Sequence, residues 1–310
     1  MVSVIMPVYN AKQYIRSAID SILNQSFSDF ELILVDDCGT DETMKIIKDH
    51  YDDKRIRFLH NDQNMGIAYS RNRGIDVALG EYIAFMDDDD IASLERFKLE
   101  VEFMQTHPDI DAVGGRYCSI DELGKVNDYS DDTLQNPLFI KACLMFFDPI
   151  GNGCMLFKRD TVIRNRIRFK DNCYGMEDYM FWVDFSQVGS ISNIKDVVLY
   201  WRNIEGNETS RNIGEKRIQR AKKFAEIQKY AIRKNGFDIS ENDVEFLSAM
   251  LQEGRFDSIV SRQEIERLYS ILVSMINQAK SKGMNNYNEI KIACRKQFSR
   301  RLEYSEVWNL

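Results

Sequence analysis

No stretch of 18 or more apolar residues occurs in this chain, so no membrane-spanning helix is expected. Met1 runs straight into Val2-Ser3-Val4-Ile5-Met6-Pro7, without the basic start and apolar length of a signal peptide. Together these absences lead us to expect a cytoplasmic protein. The six cysteines, Cys38, Cys118, Cys143, Cys154, Cys173 and Cys294, are scattered and form no C-x-x-C pair. That argues against a zinc site or a disulfide framework. Two glycine signatures are also missing, G-x-G-x-x-G and G-x-x-x-x-G-K-[ST], which disfavours a dinucleotide fingerprint and a P-loop. The net charge of −8 disfavours a nucleic-acid partner.

What is present suits one large soluble domain or two modest ones: 310 residues, 44% hydrophobic. The charge is unevenly spread. Residues 1–210 hold 22 Lys and Arg against 36 Asp and Glu; residues 211–310 hold 19 against 13. The basic C-terminal part, with Lys216, Arg217, Arg220, Lys222 and Lys223, suits either anionic lipid headgroups or ordinary solvated helix faces.

Strand and helix signals alternate through the first part. Strands are expected at Val2–Met6, Glu31–Val35, Arg55–His60 and Glu81–Met86, with helices over Lys12–Gln25, from Thr40 or Asp41 to Tyr51, over Gly66–Leu79 and over Ser93–Thr106. This order predicts an α/β fold with a mostly parallel sheet flanked by helices. Further strands are expected at Asp111–Ile120, Gly153–Phe157 and Ile191–Tyr200, helices at Phe139–Phe147 and Glu177–Val188, and a surface loop over 121–136. Only helical patterns follow Asn212, including a capping box at Ser261 and Glu264. The expected division is a catalytic domain over 1–210 and a C-terminal helical extension, 211–310, packed on it.

Chemistry-bearing residues gather at the strand ends. Phe85-Met86-Asp87-Asp88-Asp89-Asp90 follows a buried-looking strand. Four adjacent carboxylates raise one another's pKa values unless a positive charge offsets them. Hard cations such as Mg²⁺ or Mn²⁺ suit carboxylate oxygens, whereas a solvated acidic turn is the plain alternative. Ligands in open α/β sheets collect beyond the carboxyl ends of strands. Pro7-Val8-Tyr9-Asn10 could stack on a flat base or be a packed turn. Asp36-Asp37 could accept from a base or ribose, with Thr40 or Asp41 capping the next helix. Arg71, one turn into the third helix, could reach a diphosphate or make a surface ion pair. Glu177-Asp178 opens a helix, where a carboxylate serves equally as base or cap. As a set these residues describe a nucleotide-diphosphate pocket neutralised by a cation.

Val2-Ser3-Val4-Ile5-Met6-Pro7-Val8-Tyr9-Asn10, Leu34-Val35-Asp36-Asp37, Asn64-x-Gly66 with Arg71-Asn72-x-Gly74, Phe85 to Asp90, Glu177-Asp178 and Tyr200-Trp201-Arg202 together resemble glycosyltransferase family 2. These are inverting nucleotide-sugar enzymes of the GT-A fold, and the resemblance covers about residues 1–210. It implies that Asp37 accepts from the uracil N3–H of a UDP-sugar, with Pro7, Tyr9 and Asn10 lying against the base and Asn64 and Arg71 near the nucleotide. Asp87 and Asp88 would contact ribose and the metal shell. Asp89 would ligate Mn²⁺ or Mg²⁺, and Asp178 would deprotonate the hydroxyl of a saccharide or lipid-linked acceptor. Assembly of bacterial surface polysaccharide is a frequent family role, which would place the protein at the inner face of the membrane. Residues 211–310 would then contact lipid, acceptor or a second copy in a homodimer. Pro149–Cys154 would face the acceptor.

The chain departs from the family pattern twice. Cys38-Gly39 stands where Gly-Ser is usual, and Asn203-Ile204 occupies the stretch that commonly holds a histidine, leaving Arg202 or Asn207 to take its place. The rival readings are a sugar nucleotidyltransferase, which would need a glycine- and arginine-rich loop absent from Pro7–Lys12, and a degenerate nucleotide-sugar-binding scaffold, which would lack Asp87, Asp89 or Asp178.

Overall fold

The computed structural model describes residues 1–130, 133–173, 175–204, 215–251 and 260–303. In chain order the elements are β1 (Val2–Val8), α1 (Ile15–Leu23), β2 (Phe30–Asp36), α2 (Thr43–His50), β3 (Ile56–His60), α3 (Ile67–Val77), β4 (Tyr82–Phe85), β5 (Ile91–Ala92), α4 (Arg96–Thr106), β6 (Ala112–Ile120), β7 (Val126–Tyr129), α5 (Pro137–Cys143), β8 (Leu156–Lys158), α6 (Arg159–Arg164), α7 (Glu177–Phe185), β9 (Ile191–Arg202), α8 (Glu215–Lys234), α9 (Glu241–Leu251), α10 (Arg262–Ser281) and α11 (Tyr287–Leu302). They form two compact units. One comprises 1–135, 150–172 and 188–211; the other comprises 136–149, 173–187 and 212–310. Helices α5 and α7, which precede residue 210, therefore belong with the C-terminal helices.

The first unit is built on one mixed sheet of order β3-β2-β1-β4-β8-β6-β9-β5, with β7 paired to β6. Strands β3, β2, β1 and β4 run parallel; β8 is antiparallel to both β4 and β6, and β6 and β9 are parallel. β1 is buried throughout, as expected of a central strand covered on both faces. Its alternate residues Val2, Val4, Met6 and Val8 join Ile15, Ala18, Ile19 and Ile22 of α1 and Phe97, Val101 and Met104 of α4 in one core cluster. On the opposite face α3 comes close enough that a Cβ on Gly74 would lie 2.4 Å from Ile5 Cγ2.

Chain order reverses at β1: the strands step outward to β3 and then return to its other side as β4. The β1–β4 ladder covers only Val2–Ile5 against Tyr82–Phe85, while β1–β2 continues to Val8. Pro7, which has no N–H to donate, thus falls where β4 has already left. The two strands open at their carboxyl ends, the usual place for a ligand crevice in such sheets.

Three short elements differ from the sequence expectation. Within the expected 121–136 loop, β7 pairs with Cys118–Ile120 as a hairpin. All four of its residues are exposed, so no apolar alternation announces it. β5 and α6 are two and six residues long, too short to show a period.

The helical unit has its own core, in which Tyr179 and Phe224 rings pack at 5.8 Å. The Tyr179 hydroxyl donates to the Leu144 carbonyl at 2.9 Å, and Tyr230 donates to Asp184 at 2.6 Å. The Ser261–Glu264 capping box forms as expected. Of the basic cluster, Lys223 pairs with Glu226 at 2.6 Å; the side chains of Lys216 and Arg217 lie outside the described residues. Among the described residues no helix is long and apolar enough to cross a membrane.

Candidate active site

The open end between β1 and β4 holds most of the expected residues. Tyr9, the first residue past β1 and 45% exposed, donates its backbone N–H to Asp88 Oδ2 at 2.8 Å. Arg71 is buried in α3 and reaches across to Asp87 Oδ1 at 3.0 Å. Its guanidinium lies 5.8 Å from the Phe85 ring centroid and 5.3 Å from that of Phe169, so aromatic faces as well as a carboxylate fix it. Asn10 has a left-handed backbone, φ 53°, and its Oδ1 accepts the N–H groups of Thr40 and Asp41 at 2.7 and 3.2 Å. This binds the end of β1 to the turn after β2.

Asp37 is buried at the end of β2. One of its oxygens accepts from Asn61 Nδ2 at 2.7 Å and the Met65 N–H at 2.8 Å; the other accepts from the Gly66 N–H at 2.8 Å. It therefore anchors the turn that starts α3, on which exposed Asn64 sits. A carboxylate offers about four lone-pair positions, so three donors leave place for one more N–H. Asn61 gave no sequence signal, because it serves as a buried bridge from Asp37 to Ser70 Oγ, 2.9 Å away.

The four aspartates differ in setting. Asp88 directs its carboxyl onto the Tyr9 N–H; burial pushes its pKa well above the ordinary range, that hydrogen bond pulls it down, and Asp89 and Asp87 push it up again. Asp89 is raised to about 6, first by burial and then by the charge of Asp87. Asp90 is almost wholly buried and is also held high by burial, then by Asp87 and Asp89. Its Oδ1 accepts the Arg202 backbone N–H at 2.8 Å. Arg202 donates Nε–H to the Asp89 carbonyl at 2.8 Å and Nη1–H to the carbonyls of Asp121 and Glu122 at 3.1 and 3.0 Å. It thus holds the acidic turn by main-chain contacts; Asn207 lies outside the described residues. Gly153 borders the cluster, since a Cβ there would lie 3.7 Å from Asp90 Oδ2 and 3.9 Å from Asp87 Oδ2.

Carboxyls whose pKa values are pushed up by burial and mutual repulsion form a donor set that a hard cation would relieve. Among the described residues no three acidic, histidine or cysteine side chains make a cage by themselves.

Asp178 belongs to the helical unit. It sits half-buried in the first turn of α7, and its Oδ1 accepts the Tyr179 N–H at 2.7 Å.

Residues 3–162, just over half the chain, match the family model described as Glycosyl transferase family 2. The chain belongs to this family. An uncharacterised glycosyltransferase of Haemophilus influenzae is 32% identical to it over 249 residues, 77% of this chain and 76% of the relative. The putative teichuronic acid biosynthesis glycosyltransferase TuaG of Bacillus subtilis is 41% identical over 194 residues, 61% of this chain and 73% of TuaG. Some relatives are longer: this glycosyltransferase spans 29% of one from Rickettsia bellii. In fold it resembles S. aureus TarS 1–349, solved in complex with UDP-GlcNAc, with a TM-score of 0.66, 20% identity and coverage of 95% of this chain and 91% of that one. It also resembles the mannosyltransferase PcManGT of Pyrobaculum calidifontis, solved with GDP-Man and Mn²⁺, with a TM-score of 0.58, 17% identity and coverage of 99% and 87%. The sheet and its flanking helices are thus the GT-A arrangement.

Proposed function

We propose that this family 2 glycosyltransferase is an inverting, cation-dependent enzyme. It would move a sugar from a UDP-sugar to a hydroxyl of a saccharide or lipid-linked saccharide in bacterial surface polysaccharide assembly. The observation that carries the reading is the crevice between β1 and β4, where the Tyr9 N–H holds Asp88 and Arg71 holds Asp87. The complexes of TarS with UDP-GlcNAc and of PcManGT with GDP-Man and Mn²⁺, and the name of TuaG, support a nucleotide-sugar donor and a polysaccharide product.

The family resemblance assigns each residue a task, and the setting of each supports it. Asp37 takes the uracil N3–H on its remaining position. Pro7, Tyr9, Asn10 and Asn64 form the rim against which the base lies, the exposed Tyr9 ring supplying an aromatic face. Arg71 orients Asp87, and Asp87 and Asp88 face the ribose and phosphate end of the donor. Asp89 would ligate Mn²⁺ or Mg²⁺, which would neutralise charge on the departing nucleoside diphosphate. Asp178 accepts the proton of the attacking hydroxyl, and attack opposite the leaving group inverts the anomeric carbon.

Release of UDP from a panel of UDP-sugars tests this, with Mn²⁺, Mg²⁺ or EDTA, on wild type and Asp89→Ala. Release from one sugar, dependent on cation and lost in the variant, is expected. Absence of both release and cation-dependent UDP binding would overturn the donor reading.

A further inference from the structure

Asn72 stands in the middle of α3, and its side chain makes a two-point contact with a residue 97 positions away. Its Nδ2 donates to the Phe169 carbonyl at 2.9 Å, and its Oδ1 accepts the Phe169 N–H at 3.0 Å. The amide thus serves Phe169 as a neighbouring strand would, satisfying both main-chain groups. Asparagine is a weak helix former, so helix stability gives no reason for it at this position, whereas these bonds do. Phe169 lies in the irregular segment between α6 and α7. One turn further along α3, Asp76 pairs with Arg168 of the same segment at 2.9 Å. The buried Phe169 ring meets that of Phe85 edge to face, 5.2 Å apart at 69°. The Arg71 guanidinium lies over both rings. Its side chain is 4% exposed, and it reaches out to Asp87, whose side chain is 34% exposed. One aromatic wall, Phe85, is the last residue of β4 and is placed by the sheet. The other belongs to a segment outside the sheet, and Asn72 holds its main chain.

We infer that Asn72 is a positioning residue for the acidic turn: it pins Phe169 against Arg71, and Arg71, held by Phe169 and Phe85, is thereby aimed at Asp87. The inference rests on the sugar-transfer reading, in which Asp87 faces the phosphates of the donor and their cation. The attraction between a guanidinium and an aromatic ring acts over the whole face of the ring. It therefore places the cation only as well as the ring itself is placed, and Asn72 supplies that placement for Phe169. Alanine at position 72 would take both bonds from the Phe169 main chain. Leucine at position 169 would keep those bonds and remove the aromatic face. The two substitutions separate the clip from the ring that it holds.

Wild type, Asn72→Ala and Phe169→Leu are compared by amide hydrogen exchange, read in peptides covering 165–171 and 85–91, and by calorimetric titration of UDP in Mn²⁺ or in EDTA. In Asn72→Ala, exchange should quicken in both peptides. The gain in UDP affinity that Mn²⁺ confers should fall about fivefold, the scale of one cation–π contact, with affinity in EDTA unchanged. Phe169→Leu should show the same loss of the Mn²⁺ gain and faster exchange over 85–91, with 165–171 still protected. Should Asn72→Ala not fold, Asn72→Asp, which keeps an acceptor for the Phe169 N–H and loses the donor, takes its place. Exchange over 85–91 as slow as in wild type, or UDP affinity lowered equally in Mn²⁺ and in EDTA, would overturn the positioning role. If wild type binds no UDP, or binds it without regard to Mn²⁺, the donor or cation reading falls, and exchange over 85–91 alone decides whether Asn72 places the acidic turn.

Discussion

Arg202 donates its Nε–H to the carbonyl of Asp89 at 2.8 Å, so the last residue of β9 holds in place the turn that carries the acidic cluster. The same guanidinium spans to Asp121 and Glu122 and lies 4.7 Å from the Tyr14 ring centroid. Lysine keeps the charge but not the planar fork. Arg202→Lys should therefore lose about 2 kcal/mol of stability, the scale of charge-assisted hydrogen bonds lost from a buried site. UDP affinity should weaken in parallel. Urea unfolding and calorimetric titration of UDP measure the two effects; an unchanged UDP affinity would show that the clamp does not shape the donor site.

Gly74 decides whether Arg71 can reach Asp87. Its absent side chain lets α3 lie against Ile5 of β1, and Arg71 stands one helical turn earlier. Alanine has the better helix propensity, by about 1 kcal/mol, but its methyl would meet a buried β-branched residue. Overpacking costs about 1–3 kcal/mol. Gly74→Ala should melt lower than wild type and bind UDP more weakly. A variant that melts higher would mean that Ile5 yields and that helix propensity wins.

Glu100 and Arg96 are fully buried 3.4 Å apart, beneath the strand that leads to the acidic turn. Burial raises the Glu100 carboxyl to about 7, although Arg96 draws it down. Its folded pKa exceeds the unfolded value, so its contribution to stability is complete below about pH 4.5 and fades as pH rises through about 7. Between pH 5 and 8 wild type should lose more stability than Glu100→Gln, whose side chain does not titrate. Urea unfolding at those two pH values gives the comparison, and parallel profiles would remove Glu100 as a source of the dependence.

Cys38 occupies a left-handed backbone position, φ 60°, a conformation that favours glycine. That conformation costs a non-glycine residue about 1–2 kcal/mol, partly offset by the extra freedom that glycine has in the unfolded chain. Cys38→Gly should stabilise the protein by about 0.5–1 kcal/mol. The bond from the residue 38 N–H to Asp36 Oδ1 uses only main chain on that side and should persist. Chemical denaturation under reducing conditions tests the gain; a loss would point to packing by the thiol.

The parts of this molecule that could be read in the sequence are those in which residue type and position coincide. β1 is polar only at Ser3 and ends just past Pro7, and the carboxylates of Asp87–Asp90 follow β4 after Met86. Arg202 illustrates the opposite case. Its acceptors are the main-chain carbonyls of Asp89, Asp121 and Glu122, which any residue supplies, so no pattern reveals them. The grouping of α5 and α7 with the C-terminal helices was hidden for a related reason. It depends on contacts such as Gln228 with the Phe146 carbonyl and Tyr179 with Phe224, made between segments far apart in the chain.

Asp178, the proposed base, accepts the Tyr179 N–H through Oδ1 at 2.7 Å. Asparagine offers a carbonyl oxygen of the same reach, so Asp178→Asn should preserve the start of α7 while removing the group that can accept a proton. Loss of a general base lowers turnover by about 10²–10⁴-fold. The variant should therefore melt as wild type does and bind UDP with unchanged affinity, yet transfer sugar at least about 100-fold more slowly. Parallel loss of UDP affinity would identify Asp178 as part of the donor site, and retained turnover would leave it only the capping role that its place in the helix allows.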